Sequence, residues 1–210
     1  MPNLAELARR LKPAAAAKAL PRLILMTDPV RLPDPAAAIA CLPRGSAVIV
    51  RHPDAAERER LARHLLARCR PRGLRLMIAG DARLAAAVSA GGLHLPEAIL
   101  RHGRRDWRAF RRPGWLVTAA AHSPMAIRAA ACAGVDAVLL SPVFATASHP
   151  GARPLGPLRF AARVRQSPIP VYALGGVTAA TAPRLSASGA AGFAAISGLA
   201  AGHAGSNSRL

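Results

Sequence analysis

The stretch AGVDAVLLSPVFATASHPGARPLG, residues 133–156, decides the reading of this chain. A Gly134-Val135-Asp136 turn runs into the apolar segment 137–140, which is short and uninterrupted enough for a buried strand. The chain then opens into a long loop carrying Thr146, Ser148, His149 and Arg153. A buried strand that opens into a polar, Gly/Pro-rich loop is how an α/β enzyme presents ligand-binding groups.

The same pattern recurs on both sides of this stretch. Apolar strand segments are expected at 23–27, 47–50, 74–79, 92–95, 115–119, 170–174 and 193–196. Helical segments are expected at 34–42, 54–70 (capped by Asp54), 81–89, 123–133 (capped by Ser123), 157–166 and 178–188. The arginine-rich stretch 97–112 is weakly patterned and reads as one short helix. Residues 3–19 read as a helix before the main fold, with Asn3 as its N-cap. Strands alternating with helices imply a parallel sheet. Eight such units in a chain of 210 residues fit a compact TIM (β/α)8 barrel. A doubly wound open sheet is the runner-up, but its Gly-x-Gly-x-x-Gly turn is missing after the first strand. The expected organisation is an N-terminal helix over 1–20, one barrel domain over 21–200 and a flexible tail over 201–210. Little chain follows the eighth strand, so the closing helix is short or missing.

Composition narrows the class. An apolar fraction of 52% excludes disorder, and no apolar run is long enough to cross a bilayer. The first residues carry Glu6 and no continuous apolar core, unlike a secretory signal. Three scattered cysteines, Cys41, Cys69 and Cys132, have no zinc spacing; they read as small buried hydrophobes with reduced thiols in a cytoplasmic protein. The net charge of +19 is nearly all arginine and falls mostly on helix-like segments. With 3% aromatic residues there is no base-stacking surface, so a small anionic partner is expected rather than nucleic acid, and no membrane. Assembly into a homo-oligomer is left open.

In a TIM barrel the active site lies at the C-terminal ends of the strands. Those ends are Asp28, Arg51 with His52, His94, His122, Ser141 with its loop, Gly175-Gly176 and Ser197-Gly198. Gly175-Gly176 and Ser197-Gly198 follow the seventh and eighth strands, where backbone amides can close on phosphate oxygens; tight turns needing positive φ are the plainer reading. His122, just before the cap Ser123, is the candidate proton carrier. Arg51, His52 and His94 are candidate lining residues, His94 being equally a core histidine. His64 and His102 read as solvated. Carboxylates near the mouth are limited to Asp28, Asp81 and Glu97, which is thin support for a metal.

The segments MTD (26–28), GGLHLPE (91–97), 121–156, IPVYALGGV (169–177) and AAISGL (194–199) resemble the thiamine phosphate synthase/TenI family of TIM barrels. The resemblance implies one of two activities. The synthase joins a pyrimidine diphosphate to thiazole phosphate with magnesium. The TenI branch is a metal-free tautomerase that shifts a proton on a carboxylated thiazole phosphate. The synthase pattern Gln-Leu-Arg-Glu-Lys after the second strand is here Ile49-Val50-Arg51-His52-Pro53. Its Asn-Asp after the third strand is Ala79-Gly80, and its Gly-Gln-Glu-Asp after the fourth is Pro96-Glu97-Ala98-Ile99. Its Thr-x-Thr-Lys loop is Thr146-Ala147-Ser148-His149. The retained half is the one that holds thiazole phosphate, together with the histidine that resembles the catalytic one of the tautomerases. The resemblance therefore implies a tautomerase with His122 as the catalytic residue. Thr146, Ser148, His149, Gly175, Gly176, Ser197 and Gly198 would hold the substrate, with no metal and no cofactor. The alternatives are a synthase with a degenerate diphosphate site, which alone would use magnesium, and a non-catalytic thiazole or thiamine phosphate-binding protein.

Overall fold

The computed structural model describes residues 2–147 and 151–199. Eight parallel strands close in chain order into one barrel. They are β1 (Leu23–Met26), β2 (Ala47–Val50), β3 (Arg75–Ala79), β4 (Gly92–Leu95), β5 (Leu116–Ala121), β6 (Ala137–Leu140), β7 (Val171–Ala173) and β8 (Gly192–Ala195). The helices are α1 (Leu4–Arg10), α2 (Pro35–Ala40), α3 (Ala55–Cys69), α4 (Ala82–Ala87), α5 (Glu97–Arg101), α6 (Pro124–Cys132) and α7 (Gly156–Gln166). The strands are almost wholly buried, which is why they read as continuous apolar runs rather than alternating ones.

Most helix starts follow from their caps. Asp34, Asp54, Asp81 and Ser123 each accept a backbone N–H from the first turn of α2, α3, α4 and α6. Asn3 does the same for α1, accepting from the Glu6 amide at 2.9 Å.

Two expected helices are shorter than their sequences suggest. The segment 3–19 is helical only to Arg10, followed by a 3-10 turn at Ala15–Ala17. Pro13 has no N–H to continue the ladder and biases the residue before it away from helical backbone. The segment 178–188 holds only a 3-10 turn, Ala182–Leu185. Thr178 and Thr181 bond each other's backbone amides at 3.3 and 2.9 Å, and the Thr181 hydroxyl donates to the Gly176 carbonyl at 2.8 Å. These local bonds compete with helical ones, and Pro183 removes a donor. The stretch 97–112 carries α5 and a second, 3-10 element, Asp106–Phe110, that buries Trp107.

Only Cys69 is buried, and burial pushes its thiol up to about 11. Cys41 and Cys132 are exposed, contrary to the expectation for small apolar side chains, because they fall at the C-terminal ends of α2 and α6. After β8 the described chain makes a 3-10 turn, Ser197–Leu199. The expected tail, 201–210, lies outside the described residues.

Strand registers define which side chains fill the barrel. Met26 pairs with Ile49, Ile49 with Met77, Ala79 with His94, His94 with Thr118 and Leu139 with Tyr172. Tyr172 on this inner side donates its hydroxyl to the Pro21 carbonyl at 2.7 Å, below β1. Its ring needs a glycine opposite: a Cβ on Gly192 would stand 2.8 Å from the ring and 2.3 Å from the Arg22 carbonyl.

Candidate functional site

At the C-terminal rim, β1 is followed by Thr27 and Asp28. The Asp28 carboxylate accepts the amides of Val30 and Arg31 at 3.1 and 3.0 Å, then the guanidinium groups of Arg31 at 2.5 Å and Arg51 at 3.0 Å. The Arg31 side-chain hydrogen bond leads the effects that hold its pKa down at about 2. The Thr27 hydroxyl accepts from the Arg51 amide at 2.8 Å and donates to the Arg51 carbonyl at 3.0 Å, tying the ends of β1 and β2 together.

The turn after β7 and the loop after β6 are built on each other. The amides of Val143 and Phe144 donate to the carbonyls of Leu174 and Gly175, each at 3.0 Å. Gly176 has φ +64°, and a Cβ there would lie 2.4 Å from the Ala145 carbonyl oxygen and 2.7 Å from the Phe144 Cβ. A side chain at 176 would separate loop from turn. Between them lies a small cleft of about 80 Å³, lined by Thr146, Gly175, Gly176, Ser197, Gly198 and Arg31 among others. Five of the sequence-proposed ligand residues therefore meet in one place. Ser148 and His149, proposed with them, lie outside the described residues. Arg31 was not foreseen. Its signal was the spacing Asp28-x-x-Arg31 just after a strand, which lets the aspartate orient the guanidinium.

Across the rim, Pro96 follows β4 and Glu97 opens α5. The Glu97 carboxylate accepts the backbone amide of His122 at 2.9 Å and engages its Nδ1 at 2.6 Å. A carboxylate only accepts, so Nδ1 carries the proton and Nε2 is the basic nitrogen. The His122 side chain is 42% exposed, accessible to a ligand at the rim. From the sequence Glu97 reads only as a thin metal candidate. Its pairing with a residue 25 positions later depends on β4 and β5 being neighbours.

The other histidines are elsewhere. His94 lies inside the barrel, with Nδ1 2.9 Å from the Thr118 hydroxyl. Burial first, and then the Arg51 charge, push its pKa down to about 4, so it is neutral near pH 7. The His52 ring is turned onto its own loop, where its Nδ1 accepts the Asp54 amide at 3.2 Å. Of the candidate lining residues, Arg51 stands at the rim through Asp28, His94 sits below it, and His52, bonded to Asp54, lines a separate cleft beside Thr27 and Asp28. His64 and His102 are exposed.

The carboxylates do not fit a magnesium–diphosphate site. Asp28 is engaged by two arginines, Asp81 caps α4 and meets Arg58 at 3.4 Å, and Glu97 is held by His122. Ala79 and Gly80 offer no side-chain oxygen at the end of β3. Among the described residues, no three metal-ligating side chains gather.

The chain is similar to known proteins over most of its length. A family model described as thiamine monophosphate synthase matches residues 23–199. A protein of Aquifex aeolicus named putative thiamine-phosphate synthase 2 is 35% identical over 154 residues, 71% of this chain and 80% of its own. The thiamine-phosphate synthase of Levilactobacillus brevis is 32% identical over 148 residues, 70% of this chain and 68% of its own. A solved structure of thiamine phosphate pyrophosphorylase from Pyrococcus furiosus superposes with a TM-score of 0.68 at 23% identity, covering 86% of this chain and 87% of the other, which supports the barrel fold. On the match across nearly the whole barrel, this chain belongs to the thiamine monophosphate synthase family.

Proposed function

We propose that this family member is a metal-free thiazole tautomerase acting on a carboxylated thiazole phosphate. The observation that carries the proposal is the Glu97–His122 pair at the rim. Tautomerisation needs one group to take a proton from carbon and return it at another atom of the same substrate, with nothing gained or lost overall. His122 accepts that proton at Nε2. Glu97 keeps the proton on Nδ1, orients the ring and stabilises the imidazolium while it lasts. The cleft between Thr146, Gly175-Gly176 and Ser197-Gly198 would take the phosphate, with Arg31 adding positive charge. The carboxylates committed to arginines, a helix cap and His122 support this reading over magnesium chemistry.

The second reading is a thiamine phosphate synthase, favoured by the names of the relatives. Two parallel assays separate them. One supplies the carboxythiazole phosphate in EDTA and follows isomerisation; the other supplies pyrimidine diphosphate, thiazole phosphate and magnesium and follows thiamine phosphate. Isomerisation in the first arm, abolished by His122→Ala, is the expected result. Thiamine phosphate in the second arm, with none of the first reaction, would replace the proposal with the synthase. Tight thiazole phosphate binding without turnover in either arm would make the protein a carrier.

A further inference from the structure

The opposite end of the barrel holds a larger cavity, of about 780 Å³, unconnected with the proposed chemistry. The residues just before β1, the turns before β2 and β3, and α1 form its walls. Its lining includes Arg9, Lys18, Arg22, Arg44 and Arg75 and, among the described residues, no aspartate or glutamate. Other arginines of this chain find carboxylates, as Arg60 does on Glu57 and Arg63 on Glu59. None of these five pairs with a carboxylate among the described residues.

We propose that this cavity is a second anion site, which takes a small organic polyphosphate. Three features support it. Arg22 has a guanidinium nitrogen, Nη1, closed off from solvent with no hydrogen-bond partner, a costly arrangement that an oxyanion would relieve. Arg75 is fixed rather than floating: its Nη1 donates to the carbonyls of Gly91 at 3.2 Å and Gly114 at 2.7 Å. Residue 91 is glycine in ordinary backbone, and a Cβ there would lie 2.8 Å from the Arg75 stem, so the missing side chain makes room for the arginine. Five like charges around one concavity repel one another and focus positive potential into it.

Size and lining set the ligand class. The volume falls within the range of roughly 300–1,000 Å³ common for small-molecule sites, well beyond one orthophosphate. Leu20, Leu23 and Leu74 give an organic part apolar surface beside the charges. A nucleic acid fits a concave site without aromatic side chains poorly.

The test is calorimetric titration of the full chain with ATP and with tripolyphosphate, in magnesium-free buffer at physiological salt. Wild type is compared with Arg44→Glu, Arg22→Gln and the rim variant Ser197→Asp. Arg44 is exposed, so its substitution leaves the fold intact even if Arg22→Gln does not. The expected result is one saturable site per chain for ATP, weakened at least about tenfold by Arg44→Glu and changed less than about twofold by Ser197→Asp. A site for tripolyphosphate but not ATP would overturn the organic part of the assignment. No saturable binding, binding lost with Ser197→Asp but kept with Arg44→Glu, or only steeply salt-dependent uptake shared with an RNA oligonucleotide would overturn the site itself.

Discussion

Glu97 reaches His122 twice, through its amide and through its ring, so one carboxylate sets both where the imidazole stands and which nitrogen is basic. His122→Ala should lower the isomerisation rate by about two to four decades with little change in phosphate affinity. Glu97→Gln keeps the shape but loses the charge that stabilises the imidazolium. It should cost roughly tenfold or more in kcat, and steady-state kinetics on the two variants would order them. His94 makes a different prediction, about stability. Its folded pKa lies near 4, below its ordinary value of 6.5, because burial disfavours the charged ring. The stability it carries is complete above pH 6.5 and drains away as pH falls toward 4. Urea melts across that window should show the loss in wild type and a flatter profile in His94→Gln. The Asp28 contribution disappears only below that window, between 3.8 and about 2, because its pKa is lowered.

At the scale of elements, the loop after β6 and the turn after β7 act as one unit. Gly176→Ala would force a Cβ onto the Ala145 carbonyl at a positive φ. It should destabilise the protein by on the order of 1–3 kcal/mol and weaken phosphate binding about tenfold or more, read by thermal melting and phosphate titration. These elements also show what the sequence could and could not reveal. The strands were legible because a covered parallel sheet writes itself as short apolar runs between capped helices, as in Val48–Val50 and Val138–Leu140. The helix expected at 178–188 was not, because its side chains favour helix only until Thr178 and Thr181 find each other's backbone. The rim cleft was legible as two glycine turns and a hydroxyl loop. Arg31 and the Glu97–His122 pair were not, because each depends on which rim positions become neighbours when the barrel closes.

The whole molecule has two ends with different characters. Its rim gathers a small glycine-lined cleft and a carboxylate–imidazole pair; its base gathers five cations. The net charge of +19, which composition alone spreads over solvated helices, is thus partly concentrated in one concavity. The rim chemistry should be insensitive to Arg44→Glu, and it should be unchanged by EDTA, since the carboxylates there are committed to protein partners. The most direct test of the central claim is deuterium incorporation. Wild type and His122→Ala are incubated with the carboxythiazole phosphate in D₂O containing EDTA, and the carbon-bound proton signals of substrate and product are followed by NMR. Wild type should exchange rapidly into the isomerised product, and His122→Ala should lose about two to four decades of that rate. Exchange at the same rate in both proteins, or no exchange until magnesium is restored, would contradict the claim.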